Sequence, residues 1–420
     1  MFIYGIKKND CLFSIALKYQ VTMDSIRIYN GLTTARLVPG QDLLIPTNIY
    51  TVQPGDSLYS ITQMNFISMG TLSLINGLHS NRLMIGMKLY LPPRTKYESV
   101  GFSFITPSTP EENKTRVRKF ASINTYLGVF EYHISEDGTL STLVDDQQLV
   151  KLIRENNTAP LAVITNLTPT GFSGQLVKTV LNSPDIKNNL INNIYNLLKS
   201  KNYAGVNIDF ELIHEEERDL YSDFLRRLKE RLKPDGYYTS VAVPSKTDDS
   251  IPWLKGYDYG GIGSAVDFVF LMAYDWHEQS SSPGPVSPIN EVRKTIKFAL
   301  YNMKRNKIIL GVVRYGYDWT MSNGTVISAK ALSVDDAIQT AMKYQVPIQY
   351  STEYQQPFFH YRDEKGNGHV VWFEDAKAQI KKIQLVVSYG LEGIGAWQVG
   401  LHFIQSFTLL NEYLITKRVI

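Results

Sequence analysis

Eight strand-like runs, each followed by a helical stretch, occupy residues 98–420 and leave few architectures open. The runs are residues 100–106, 126–132, 161–166, 205–211, 238–244, 268–276, 307–315 and 393–398, with amphipathic segments such as 185–199, 215–231 and 290–303 between them. Alternating strands and helices predict a parallel sheet covered by helices, and eight repeats in this length predict a (β/α)8 barrel of the α/β class. The surplus residues fall at about 318–375, between strand seven and its helix. Strand-like runs at 346–350 and 370–373 predict a small α+β insertion there. In such barrels the chemistry gathers where strands end, at the C-terminal face. Those ends offer Asn166, Asp209, Glu211, Tyr274, Asp275, Tyr315, Trp397 and Gln398.

The fourth run is the most informative of the eight. In residues 204–211 the apolar Val206, Ile208 and Phe210 alternate with Asn207, Asp209 and Glu211. A strand has a side-chain period of two, so the polar three share one face. Acids on a buried strand are costly unless they have a partner or a task. One i, i+2 step separates Asp209 and Glu211 by roughly 6.5 Å, close enough for each to influence the other's proton and for both to address one sugar ring. A half-exposed edge strand with its polar residues in water is the competing reading of these eight residues alone.

The first 92 residues contain a duplication. Residues 4–46 align with 50–92 at a constant offset of 46, without a gap, and fourteen of the 43 positions coincide. These include Tyr4/Tyr50, Asp10/Asp56, Asn30/Asn76, Gly31/Gly77, Gly40/Gly86 and Pro46/Pro92. Each copy reads as strand, helix, helix, strand. Pro54-Gly55-Asp56 turns the chain, and Asp56 or Ser57 can cap the helix carrying Leu58 and Ile61. Asn76-Gly77 ends the next helix. The predicted organisation is two modules at 1–47 and 48–93, a proline-marked polar linker, and a barrel domain at 97–420.

Composition removes several classes of function. A net charge of +3 over 420 residues argues against a dedicated nucleic-acid binder. The single cysteine, Cys11, allows no intramolecular disulfide, so packing must hold the fold. Seven scattered His and no H-E-x-x-H or C-x-x-C pattern predict no metal, and no phosphate-cradling glycine loop predicts no nucleotide cofactor. No stretch approaches the about 18 apolar residues of a membrane span, and the start of the chain lacks signal-peptide features. A monomer with no cofactor is the expectation. Aromatics at 12%, with 26 Tyr, suit a cleft in which rings stack on sugars.

At "YTVQPGDSLYSI", "NGL" and "IGMKLYLP" the duplicated unit resembles the LysM module, with copy one departing at Lys8-Asn9 where the turn usually carries Pro-Gly. That resemblance implies binding to N-acetylglucosamine-containing glycan such as peptidoglycan. By family position the contacts would come from Gly55, Asp56, Ser57, Asn76, Gly77 and Leu78; purely structural turns are the alternative there. "AGVNIDFE", "MAYDW" and "IGAWQ" resemble glycoside hydrolase family 18. "EYHI", "TNLTPTGFSG", "YDYGGIG" and "GYDW" extend the likeness over the whole chain, toward the spore-associated cortex or coat N-acetylglucosaminidases of endospore-forming bacteria.

Family 18 uses the substrate's own acetamido group as nucleophile, an exception to the two-carboxylate scheme. The resemblance implies Glu211 as general acid and then base, Asp209 as the group that holds the acetamido N–H, and Tyr274 as the donor to its carbonyl oxygen. It implies Trp397 as the floor of the sugar site, with Asn207, Asp275, Tyr315, Gln398 and Asn166 as further sugar-binding candidates. Ala204 and Asn207 depart from the family pattern, which has aspartates at both positions; Asn207 can hydrogen-bond Asp209 but cannot share its charge. Arg314 stands where an apolar residue is common; it is either a substrate-facing charge or a side chain that points outward, and the outward reading is preferred. A spore location without a secretion signal follows from the same likeness. Two other readings stay open: a wall-binding coat protein with an inactive barrel, and a chitinase with wall anchors.

Overall fold

Eight short runs rich in β-branched and aromatic residues form parallel strands: β1 (Tyr97–Ile105), β2 (Tyr126–Ile134), β3 (Ala159–Thr165), β4 (Gly205–Asp209), β5 (Tyr238–Pro244), β6 (Phe268–Met272), β7 (Ile308–Val313) and β8 (Gly393–Trp397). The computed structural model describes residues 1–65, 67–401 and 403–420. Each strand pairs with the next, and β1 pairs with both β2 and β8, which closes the barrel.

Alternation along the strands sorts the core into two layers. Val206, Ile208 and Phe210 point outward into the layer between strands and helices, where Phe210 stacks on Phe224 with centroids 5.9 Å apart. The lumen is filled by Phe102, Phe104, Tyr126, Phe268 and Phe270 with smaller neighbours. Such rings need room, and glycine supplies it: a Cβ on Gly311 would lie 2.6 Å from the Phe270 ring. The bottom and middle of the barrel are therefore solid, and only its C-terminal mouth can hold a ligand.

Between β7 and its helix (Ala376–Tyr389) lies an antiparallel five-stranded sheet with the helix Val334–Lys343. It is larger than the two strand-like runs suggested. Its first strand, Tyr315–Ser322, begins where the sequence reading let strand seven continue; β7 ends at Val313 and Arg314 makes the turn. Arg314 does not point outward. It is fully buried, its guanidinium lies 5.1 Å from the centre of the Phe120 ring, and burial lowers its pKa to about 10.

Each N-terminal copy is a two-stranded antiparallel sheet with two helices, from Phe2–Gly5 to Asp42–Ile45 and from Ile49–Thr51 to Lys88–Tyr90. The copies share an internal framework. Tyr4 and Tyr50 donate to Asp10 and Asp56, each at 2.7 Å, and Asn30 and Asn76 clamp the closing strand through Leu44 and Tyr90.

The barrel treats the copies differently. In the first, Val38 is 3% exposed and Pro39 accepts a bond from the Ile348 N–H at 2.9 Å. Gly40 sits so close that a Cβ would lie 1.8 Å from the Ile348 carbonyl oxygen. Gln405 donates to Asn30 Oδ1 at 2.7 Å and to the Asp42 carbonyl at 2.8 Å. In the second copy the counterpart of Val38 is Met84, 73% exposed, and its neighbour Ile85 is 71% exposed.

Candidate active site

The mouth of the barrel opens into two joined cavities of about 670 and 570 Å³ that share Glu211, Met272, Tyr274 and Asp275. Asp209, Tyr315, Trp397 and Gln398 line the first, beside Phe130, Phe172 and Tyr317. Trp253, Tyr257 and Trp276 line the second. Strand ends from β4, β6 and β8 thus deliver their polar residues to one cleft.

Local backbone bonds hold Glu211 there. Asn166 Nδ2 donates to the Glu211 carbonyl at 2.8 Å, and Asn166 Oδ1 accepts from the Glu211 N–H at 2.9 Å. The Tyr257 hydroxyl donates to the Phe210 carbonyl at 3.1 Å. Leu212 follows in the left-handed region at φ 59°, and the Leu212 carbonyl passes so near Gly174 that a Cβ there would come within 2.3 Å of it. A clamped peptide gives its side chain few directions, so the carboxyl is aimed before substrate arrives.

Electrostatics favour protons on these acids. Burial raises Glu211 to about 7, with the Asp275 charge adding to it. Burial also raises Asp209 well above the usual carboxylate range, and the charges of Glu211 and Glu131 push it further. Asp209 Oδ1 is buried and has no hydrogen-bond partner among the described residues. Asp275 is open to the cleft, at φ 60°; burial in the cleft wall raises it to about 6, against the hydroxyls that bond it. Tyr315 donates to both its oxygens at 2.8 Å and Tyr317 to one at 3.0 Å. Trp397 packs edge-on against Phe130 at 4.7 Å and tilted against Phe104 at 5.5 Å, which fixes the plane of its ring at the cavity floor.

Two of the sequence candidates do not reach the cavity. Asn166 is fully buried and spends its side chain on the Glu211 and Ser173 backbones. Asn207 is also fully buried, and its amide donates to Ser240 Oγ at 2.9 Å, not to Asp209. Asn207 stands behind the cleft because it lies two residues before the end of β4, whereas Asn166, just past the end of β3, is turned onto the neighbouring backbone. Among the residues at the cleft that went unassigned in the sequence are Glu131, Tyr317 and Phe130, with Phe172, Trp253, Tyr257 and Trp276. The first two lie inside the segments "EYHI" and "GYDW", so a signal was present.

In the second module the side chains of Asp56, Ser57 and Asn76 are engaged within the module, Ser57 at its exposed surface. Asp56 accepts from Tyr50 and from the Gln53 N–H, Ser57 caps a helix through the Ser60 N–H, and Asn76 clamps Tyr90. Gly55 and Gly77 have positive φ and nothing within 4 Å of where a Cβ would stand, and Leu78 is half-buried. Asp56 and Asn76 serve the module's own framework, and Gly55, Ser57 and Gly77 are exposed at its surface.

A closed barrel with paired acids, a tyrosine and a tryptophan at its mouth defines a glycosidase. The family model for glycosyl hydrolases family 18 matches residues 76–401, and the LysM domain model matches 4–46 and 50–92. The chain belongs to glycosyl hydrolase family 18 and carries two LysM domains. It is 44% identical over 420 residues to the protein named "Putative sporulation-specific glycosylase YdhD" of Bacillus subtilis, covering 100% of both chains. It is 40% identical over 428 residues to the cortical fragment-lytic enzyme of Bacillus anthracis, covering 99% of both. The crystal structure of the Bacillus cereus spore cortex-lytic enzyme SleL superposes with a TM-score of 0.92 at 36% identity, over 99% of each chain. Among the described residues no helix is long and apolar enough to cross a membrane.

Proposed function

We propose that this chain is a spore-located β-N-acetylglucosaminidase that cleaves the β-1,4 bond after N-acetylglucosamine in cortex peptidoglycan. The observation that carries the reading is the Asp209–Glu211 pair beside Tyr274 in one cleft, both acids raised and Asp209 Oδ1 without a partner among the described residues. Glu211, protonated near neutral pH, gives its proton to the glycosidic oxygen as that bond breaks. The acetamido carbonyl oxygen of the same sugar attacks C1, and Asp209 takes up the acetamido N–H. Tyr274 donates to the carbonyl oxygen and keeps it in line. Glu211, now a carboxylate, takes a proton from water whose oxygen attacks C1, opens the oxazolinium ring and restores the acid with the anomeric configuration retained. Trp397 supports the ring by stacking, and Asp275 and Gln398 bind its hydroxyls.

The names of the relatives, which refer to sporulation and cortex lysis, support the substrate class, and two LysM domains support attachment to the polymer. The test is digestion of purified cortex fragments with wild type and Glu211→Gln, followed by mass spectrometry. New reducing-end N-acetylglucosamine from wild type alone is the expected result. Equal products from both variants remove Glu211 from its role, and no products from either leave a protein that only binds.

A further inference from the structure

A further cavity of about 900 Å³ lies apart from the cleft. It runs between the first helix of the second LysM domain (Leu58–Asn65) and the barrel helices Ile289–Asn302 and Ala376–Tyr389. Tyr59, 63% exposed, and Gln63 form its wall on the LysM side. Arg94, Arg293 and Lys381 line it against a single acid, Glu353. Arg94 is spent on Glu412 at 2.7 Å and on backbone carbonyls. Among the described residues, the side chains of Arg293 and Lys381 have no hydrogen-bond or ion-pair partner. With Arg94 paired, Arg293 and Lys381 still outnumber Glu353, and an excess of cations in a concave groove attracts anions.

The LysM wall of the groove is tied to its other side: Gln384 of the barrel donates to the Gln63 carbonyl at 2.5 Å, and Arg94 donates to the Asn65 carbonyl at 2.8 Å. The groove also adjoins the cleft. Asn290 lines the groove while the next residue, Glu291, lines the outer cavity of the active site. Consecutive residues of one helix thus line the two.

We infer that this groove is a second, non-catalytic polymer site, shared by the second LysM domain and the barrel, which holds a carboxylate-bearing glycopeptide strand. The inference rests on the peptidoglycan reading above and adds to it. Stem-peptide carboxylates meet Arg293 and Lys381, sugar faces meet Tyr59, and the held strand keeps its neighbouring bonds at high local concentration near Glu211.

The full-length Arg293→Glu/Lys381→Glu variant tests it, with Arg293→Glu alone as an exposed, structurally mild companion. Cosedimentation with purified peptidoglycan is expected to weaken about tenfold for the double variant and about threefold for the single, with loss of the salt sensitivity seen in wild type. Binding to insoluble chitin, which has no carboxylates, and turnover of a soluble chito-oligosaccharide are expected to stay unchanged. Tyr59→Ala is expected to weaken both polymers. Unchanged peptidoglycan binding in the double variant overturns the inference, as does an equal loss on chitin. Failure of the hydrolase reading looks different: a wild type that binds peptidoglycan yet releases nothing.

Discussion

Glu211 and Glu374 reach the same pKa in opposite surroundings. Burial pushes each to about 7. Glu211 opens onto the cleft with like-charged Asp209 and Asp275 as neighbours. Glu374 is sealed between the insertion and the helix Ala376–Tyr389, one residue from the seam with the first LysM domain, and is gripped by Lys382 at 2.6 Å and Gln356 at 2.9 Å. Next to it, burial raises Asp375 and Asp42, and the Asp42 charge raises Asp375 further. The comparison teaches that a raised carboxyl does not by itself mark a catalytic group. What separates the two is an open volume: Glu374 is closed in by its own cation, and Glu211 faces a space that a sugar can fill.

The sharpest way to break this comparison is to neutralise each glutamate. Glu211→Gln is expected to lower kcat about a thousandfold or more while leaving the melting temperature nearly unchanged, read by hydrolysis and calorimetry on one preparation. Glu374→Gln is expected to do the reverse. It strands a buried lysine and costs on the order of 3 kcal/mol of stability with kcat preserved in the folded fraction. Matching phenotypes for the two variants would erase the distinction.

Tyr274→Phe removes one donor at the developing charge, and a loss of about a hundredfold in kcat is expected with KM little changed. Asp275→Asn addresses the pH profile. Glu211 acts as an acid only while protonated, so activity is present below about pH 7 and is lost as pH rises through that value. Removing the Asp275 charge removes a cause of the raise, so the alkaline limb of kcat/KM is expected to move to lower pH. A limb that stays or moves upward contradicts the coupling.

The smallest effect belongs to the seam. The folded-state values of Asp42 and Asp375 lie above the ordinary 3.8. Their stabilising contribution is therefore complete below that pH and drains away as pH rises through the raised values. Asp42→Asn is expected to flatten this decline and to raise the melting temperature at pH 8 by roughly 2 °C. A fall instead would mean that nearby Lys377 makes the charged form net stabilising.

Local periodicity made much of this protein readable in advance. The eight strands, the duplicated modules and the inward row Asn207, Asp209 and Glu211 follow from spacings of two and from an offset of 46, which need no knowledge of distant residues. The cleft's Asp275, Tyr315, Trp397 and Gln398 were legible because strand ends are chain-local positions. The rest was settled by contacts between residues far apart in sequence. Asn166 serves the Glu211 backbone across 45 residues, and Arg314 is buried over Phe120. Val38 is covered while its repeat partner Met84 is bare. Two nearly equivalent sequences met different neighbours, and burial depends on what packs against a side chain, which no run of neighbouring residues records.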